Sequence, residues 1–372
     1  VNEWSRREFL EKTAAAGGAL FLANCVGIGA VKAEEAQEVR EEPNVVEKPD
    51  VEKDSFPDKT WIVSHPDCQK HETGPTHPER PARTATLLKA LRDEAAPKNL
   101  HFTEAREATE AEILTIHAAD YVAQAKAVSA RGGRLDGDTP VMKDSWRAAL
   151  LAAGGALAAV DAVAQRRAKN AFVVVRPPGH HALPDRGMGF CVFNNIALAA
   201  VRALRQKGVE RVLIVDWDLH HGNGTQKAFW SDGRVLFFSS HAHPFYPNSG
   251  TETEIGEGRG KDLIVNAPLA VGAGDKEIME AFEKKLLPAV ERVKPQFVLI
   301  SAGFDAHRLD PMRGLQVTTD CFAKLTAMVA AWAAQYASGR LVSVLEGGYS
   351  LDGLREGGLA HVKELVAAST TK

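Results

Sequence analysis

Asp216, Asp218, His220 and His221 are side chains of the kind that hold divalent metals, and they crowd one short segment. They follow the aliphatic run Val212 to Val215 and lead into the Gly222-Asn223-Gly224 turn. Four consecutive aliphatic residues predict a strand buried on both faces, as inside a parallel sheet. Ligands of open α/β sheets collect beyond the carboxyl ends of the strands. Asp218 and His220 are alternate residues, so both can project to one side of an extended segment. An oxygen and a nitrogen donor so placed suit zinc or ferrous iron. The competing explanation is an Asp/His-rich turn that only caps the next helix.

Three more apolar runs end in similar chemistry. Ala171 to Val175 leads into Arg176-Pro-Pro-Gly-His180-His181, where Pro and Gly force a turn. A pair of imidazoles can serve as general acid and base near neutral pH, or can be a surface turn. Phe297 to Ser301 is followed by Asp305, a third ligand or a helix cap. Leu341 to Leu345 is followed by Glu346-Gly-Gly-Tyr349. A phenol is a neutral donor at pH 7, suited to a developing oxyanion, although a half-buried aromatic alone would mean little. It is the conjunction of four such strand ends that predicts a catalytic metal site.

From Trp61 to Val366 the chain closely resembles the histone deacetylase and acetylpolyamine amidohydrolase family of the arginase-deacetylase fold. The resemblance rests on His77-Pro-Glu-Arg80, Arg176 to Ala182, Gly189-Phe-Cys-Val-Phe-Asn-Asn195, Val215 to Gly224, Ser301 to Asp305 and Gly347-Gly-Tyr349. Asp-Trp-Asp and Asn223 look more like the bacterial and class II branch. The resemblance implies a three-layer α/β fold, with a mostly parallel sheet between helices. It implies zinc, or ferrous iron, on Asp218, His220 and Asp305. His180 and His181 then flank the attacking water, and Tyr349 binds the oxyanion. Asp216 orients His180, and Asn223 partners His181 where some relatives carry Asp. An amide fixes a tautomer without stabilising an imidazolium, so His181 is expected to be the neutral base. Gly189, Phe190 and Tyr246 are carried over to the acyl-lysine tunnel and Met312 to its mouth. Asp216, Asp218, His220 and Ser239 match positions around a structural potassium ion. Either Asp136 or Asp138 is the rim carboxylate. Arg83 matches an arginine near an internal cavity, or is a helix-surface charge. Asn248 departs from the Gly that many relatives have.

The elements that must position these groups are legible more coarsely. Helix patterns cover 145–167, 195–207, 275–293 and 318–337, with Gly154 and Gly155 allowing close packing and Pro288 kinking or splitting the third. Strand–helix alternation predicts helices on both faces of a parallel sheet. Residues 241–262 read as a long loop, and loops of that length are usually functional.

Trp4-Ser-Arg6-Arg7-Glu-Phe-Leu10 before a weakly apolar run to Ala30 is a twin-arginine export pattern, with a cleavage site at Val31-Lys-Ala33. The expectation is a signal over 1–33, a disordered tether over 34–59 and a catalytic domain over 60–368. Periplasmic export follows, with lipid anchoring at Cys25 as the lesser alternative. Glycines interrupt the run too often for a stable membrane span. Roughly 310 residues remain for one large domain. Net charge is −3 with no basic block, which argues against a nucleic-acid partner. Cys25, Cys68, Cys191 and Cys321 make no disulfide framework, and Cys191 is expected to be a buried thiol beside the tunnel. The expected substrate is a small acetylated amine or an acetyl-lysine peptide, and the oligomeric state is left open. The competing functions are a two-manganese ureohydrolase of the same broad fold and a non-catalytic binder of acetylated ligands.

Overall fold

The computed structural model describes residues 55–94 and 97–370. The twin-arginine segment, Cys25 and the tether as far as Asp54 lie outside the described residues. The tether boundary needs correction at its other end. Phe56 to Lys59 belong to the first strand, held by the Phe56 N–H on the Arg167 carbonyl at 2.9 Å.

Among the described residues ten strands occur in chain order: β1 (Phe56–Ser64), β2 (Leu100–Glu104), β3 (Gly133–Arg134), β4 (Pro140–Val141), β5 (Ala168–Val173), β6 (Val212–Asp216), β7 (Val235–Ala242), β8 (Ile264–Leu269), β9 (Phe297–Ala302) and β10 (Leu341–Leu345). Strands β3 and β4 form a small antiparallel hairpin. The other eight form one sheet in the order β2-β1-β5-β10-β9-β6-β7-β8, and every pairing is parallel. The α/β architecture expected from strand–helix alternation is therefore present. β5 starts earlier than its aliphatic run suggests. Its ladder spans Ala168–Val173, while the Val174 N–H still reaches the Val63 carbonyl at 2.8 Å.

Alternation along the strands explains the layers. Leu213, Val215, Val298 and Ile300 join one core with the helices Ala82–Asp93, Asp275–Ala281, Thr319–Tyr336 and Leu351–Thr370. Val212, Ile214, Phe297 and Leu299 join the opposite core with the helices Ser145–Ala164 and Asn195–Leu204. Ser145–Ala164 is long and apolar enough to cross a membrane, but it is mostly buried against the sheet. Its Gly154 lies against the Arg106–Ala108 backbone, where a Cβ would come within 2.0 Å of the Arg106 carbonyl oxygen.

Pro288 splits the third helix pattern less sharply than expected. A π-helical segment, Phe282–Leu286, leads directly into Leu287–Val293. A proline ring clashes with the carbonyl four residues back. That carbonyl belongs to Lys284, inside the widened turn, so the helix bulges instead of ending.

The sheet order has one consequence for function. The four strands with chemistry at their ends, β5, β10, β9 and β6, are consecutive neighbours. Adjacent strands lie about 4.8 Å apart, so four carboxyl ends fall within about 15 Å.

Candidate active site

Asp218, His220 and Asp305 meet at the ends of β6 and β9. All three are buried, and their ligating atoms lie within 4.8 Å of one another. His220 Nδ1 is 3.1 Å from Asp218 Oδ1 and 3.0 Å from Asp305 Oδ2. Backbone donors fix both carboxylates. The Gly347 N–H donates to Asp218 Oδ2 at 2.8 Å and the Leu219 N–H to Asp305 Oδ1 at 2.9 Å. Glycine is required where the backbone passes so close. A Cβ on Gly303 would sit 2.1 Å from Asp218 Oδ2, and one on Gly347 would sit 2.2 Å from Asp305 Oδ2.

The charges of this cluster suit a divalent cation. Burial, and then the Asp218 charge, push the Asp305 carboxyl up to about 7. Burial works against the His220 cation, but Asp218 and Asp305 outweigh it and raise His220 to about 9. Burial likewise opposes the Asp218 anion, yet His180 and His220 hold its carboxyl well below the usual range. Two facing carboxylates thus stay together only by retaining protons nearby. A dication supplies that charge, and two oxygens with one imidazole nitrogen form a donor set fitting zinc or ferrous iron.

The tandem histidines stand beside the cluster, with ring centres 4.0 Å apart. His180 Nδ1 is 3.0 Å from Asp216 Oδ2, and His181 Nδ1 is 2.8 Å from Asn223 Oδ1. Burial opposes the His180 cation, but Asp218 and Asp216 outweigh it and raise its pKa well above the ordinary histidine value. Burial, reinforced by His180 and His220, lowers His181 well below it. The two imidazoles therefore differ in proton affinity, the one paired with a carboxylate holding its proton more tightly than the one paired with an amide.

The sequence reading assigned no role to Glu346, Glu79 or Asp310. Glu346 is fully buried, and its Oε2 accepts the Gly179 N–H at 2.7 Å and the His180 N–H at 3.1 Å. It holds the turn that carries the histidines. Asp310 Oδ2 accepts the Tyr349 and Ser350 N–H groups at 2.7 and 2.9 Å. Arg83 is fully buried, so the helix-surface alternative is wrong. Its Nε donates to the Gly348 carbonyl at 2.6 Å and its Nη2 to the Glu346 carbonyl, clamping the loop from the other side. Only Gly-Gly-Tyr was visible as a motif; the groups that fix its backbone come from distant segments.

Glu79 joins Arg83 to Arg176. Its Oε1 accepts Arg83 Nη1 at 3.0 Å and Arg176 Nε at 2.8 Å, and its Oε2 accepts Arg176 Nη2 at 2.7 Å. Burial alone would raise its pKa, but the two guanidiniums outweigh that and hold it at about 2. Glu79→Gln keeps the shape and removes the charge from between two buried cations. We expect a loss of about 3 kcal/mol in chemical denaturation, the low end for breaking a buried ion pair.

Phe190 and Tyr246 flank the approach to the site. Phe190 stacks edge-on to Tyr349 at 5.8 Å, and Tyr246 edge-on to His181 at 5.1 Å. Gly189 lies between them at φ +56°, and a Cβ there would come within 2.5 Å of His181 Cδ2. Asp138 adjoins Asp136, whose Oδ1 accepts the Asp138 N–H at 3.2 Å. His77 Nε2 is 3.2 Å from the Asp138 carbonyl and packs against Phe190 at 4.6 Å. Met312 is partly buried against the main core, and its N–H donates to Asp310 Oδ1 at 3.1 Å. Ser239 pairs with Asp216 along the sheet, and Cys191 is buried with its thiol on the Gly189 carbonyl at 3.4 Å. Asn248 has φ +64°, a left-handed conformation that Gly and Asn adopt most readily. Its loop is stapled to the site through His221, whose Nδ1 is 2.8 Å from Ser249 Oγ.

Comparison with known proteins agrees with this geometry. The histone deacetylase domain model matches residues 77–365. A probable deacetylase of Archaeoglobus fulgidus is 44% identical over 296 residues, 79% of this chain and 82% of the relative. A histone deacetylase-like amidohydrolase of Pseudomonas aeruginosa is 44% identical over 293 residues, 78% of this chain and 77% of the relative. The crystal structure of the HDA15 HD domain superposes with a TM-score of 0.79 at 36% identity, covering 84% of this chain and 90% of that one. With its matched sheet, strand-end cluster and motifs, the chain belongs to the histone deacetylase domain family.

Proposed function

We propose that the protein is a zinc-dependent deacetylase that hydrolyses the amide of an acetylated amine to the free amine and acetate. The observation that carries this reading is the pair of unequal histidines beside the Asp218–His220–Asp305 cluster, with Tyr349 close by. Zinc, or ferrous iron in its place, on those three residues would supply Lewis acidity at the amide carbonyl and a water acidified toward ~7. Neutral His181 takes the proton of the attacking water as its oxygen bonds to the carbonyl carbon. Tyr349 donates its hydroxyl proton in a hydrogen bond to the former carbonyl oxygen. Cationic His180 protonates the nitrogen as the carbon–nitrogen bond breaks. Phe190 and Tyr246 exclude water and align the acyl chain between their rings.

Two tests follow. Acetate release by the metal-loaded protein from acetyl-lysine peptides and acetylpolyamines, side by side, tests the reading directly. Turnover of neither by fully loaded protein would sink it and leave the binder of acetylated ligands. Asn223→Asp tests the base. A carboxylate stabilises the His181 cation, so His181 stays protonated to higher pH and cannot accept a proton. The acid limb of kcat/KM is expected to move up by about one pH unit. An unchanged profile would refute the assignment.

A two-manganese ureohydrolase needs further carboxylate ligands, whereas the Asp216 carboxylate beside the cluster is taken up by His180 and the Asp218 N–H. Guanidine hydrolysis with two metals bound would restore that reading. The potassium site near Ser239 and Asp216 remains an expectation of the resemblance. We infer periplasmic export from Arg6 and Arg7. Replacing both with Lys is expected to retain the protein in the cytoplasm on fractionation.

A further inference from the structure

A groove outside the catalytic cluster begins where the tunnel wall ends. It encloses about 340 Å³ and is lined by Arg186, Met188, Asn223, Lys227, Trp230 and Pro247, among others. That volume lies within the range of small-ligand sites. Met188 is the chain neighbour of Gly189, and Pro247 that of Tyr246, so the groove adjoins the mouth between Phe190 and Tyr246. A second hollow of about 290 Å³ shares Lys227 and Trp230 and is lined as well by Asp232, Glu257 and Arg259, so its charge is mixed.

The charge of the groove is one-sided. Its lining includes two cations and no carboxylate. Arg186 and Lys227 are exposed, and neither side chain has an ion pair or hydrogen bond among the described residues. Glu254 contacts the groove residue Gln226, but its oxygens are taken up by Gln226 Nε2 at 2.6 Å and by the Gly250 and Thr251 N–H groups, each at 2.9 Å. The mouth itself is electrically divided, because Tyr246 lies within reach of Asp136 and Asp138 as well as Arg186. An acetylated amine no larger than one side chain would fill the tunnel and leave the groove empty. A peptide would not, because residues flanking its acetyl-lysine must lie across the mouth.

We propose that this groove is a specificity subsite for an acidic side chain flanking the acetyl-lysine of a peptide substrate. Arg186 and Lys227 pair with its carboxylate, and the Met188, Trp230 and Pro247 surfaces pack its aliphatic stem. The proposal rests on the deacetylase reading above and narrows its substrate class.

The test uses the full, metal-loaded chain and acetyl-lysine peptides identical except for Glu or Lys at the flanking positions. At low ionic strength, kcat/KM is expected to favour the Glu peptide by about tenfold, and added salt should shrink the ratio. Arg186→Glu with Lys227→Glu should bring the ratio to one or reverse it. Because the ratio is taken within each protein, a general loss of activity cancels. Fluorescence anisotropy with the same labelled peptides reads the preference without turnover. Free N-acetyl-lysine and the peptides together separate the two ideas. Acetate from none of them defeats the deacetylase reading while anisotropy still judges the groove. Equal rates and equal binding of both peptides, or a preference that survives the double variant, would overturn the subsite.

Discussion

Asp305→Ala is expected to strip the protein of its metal and bring acetate release to background. Asp305 is one of three side chains that form the cluster among the described residues, and its Oδ2 is 3.0 Å from His220 Nδ1. Loss of a group that merely supports a ligand already weakens metal binding about 10- to 100-fold, so loss of a ligand should exceed that. Metal content after dialysis and acetate release are the two readouts. Asp305 also accepts the Leu219 N–H at 2.9 Å, so Ala carries a structural cost. Asp305→Asn keeps that acceptor while removing the charge. If the Asn variant keeps its metal and its rate, Asp305 is only a structural acceptor. A pH dependence goes with this. In the metal-free protein Asp305 titrates at about 7, so below that pH the metal must displace its proton. Metal affinity should therefore rise with pH through about 7, where Asp305 loses its proton, and on toward about 9, where His220 loses its own.

Tyr349→Phe is expected to lower kcat by about 10²- to 10³-fold with metal content and folding stability nearly unchanged. The hydroxyl bonds no protein group among the described residues, so removing it leaves nothing in the protein unpaired. The backbone of Tyr349 is held independently of the hydroxyl. Asp310 takes its N–H, Arg83 takes the Gly348 carbonyl, and Phe190 packs edge-on to the ring. Phe should occupy the same place. Burial, and then the charge of Asp305, push the phenol well above its ordinary pKa. It is therefore a proton donor throughout the working range, and its loss should not change the shape of the pH–rate profile. A change smaller than about threefold in kcat would remove Tyr349 from the oxyanion. A large change accompanied by metal loss would make its role structural.

The chemistry of the site was legible because it is local. Asp218 and His220 share one strand end, His180 and His181 are adjacent, and the glycines that let backbone pass the carboxylates lie beside the residues they serve. Aliphatic runs announced β6, β9 and β10 because strands buried on both faces have no polar face to keep. β5 was placed three residues late at its start, Ala171 for Ala168, since its first half carries Lys169 and Asn170 and lacks that signature.

What the sequence by itself determined was the set of candidate site residues and the layered fold. Both follow from short-range periodicity and residue type, and neither needs long-range contacts to be read. Tertiary structure alone decided which strands are neighbours, and hence that β5, β10, β9 and β6 deliver their ends to one place. It also decided that Arg83 is buried against Glu79, that Glu346 holds the histidine turn and that Asp310 holds Tyr349. Those partners are 4, 167 and 39 residues apart in the chain. Buried charges must find a partner wherever the fold provides one, and a linear pattern cannot show where that will be.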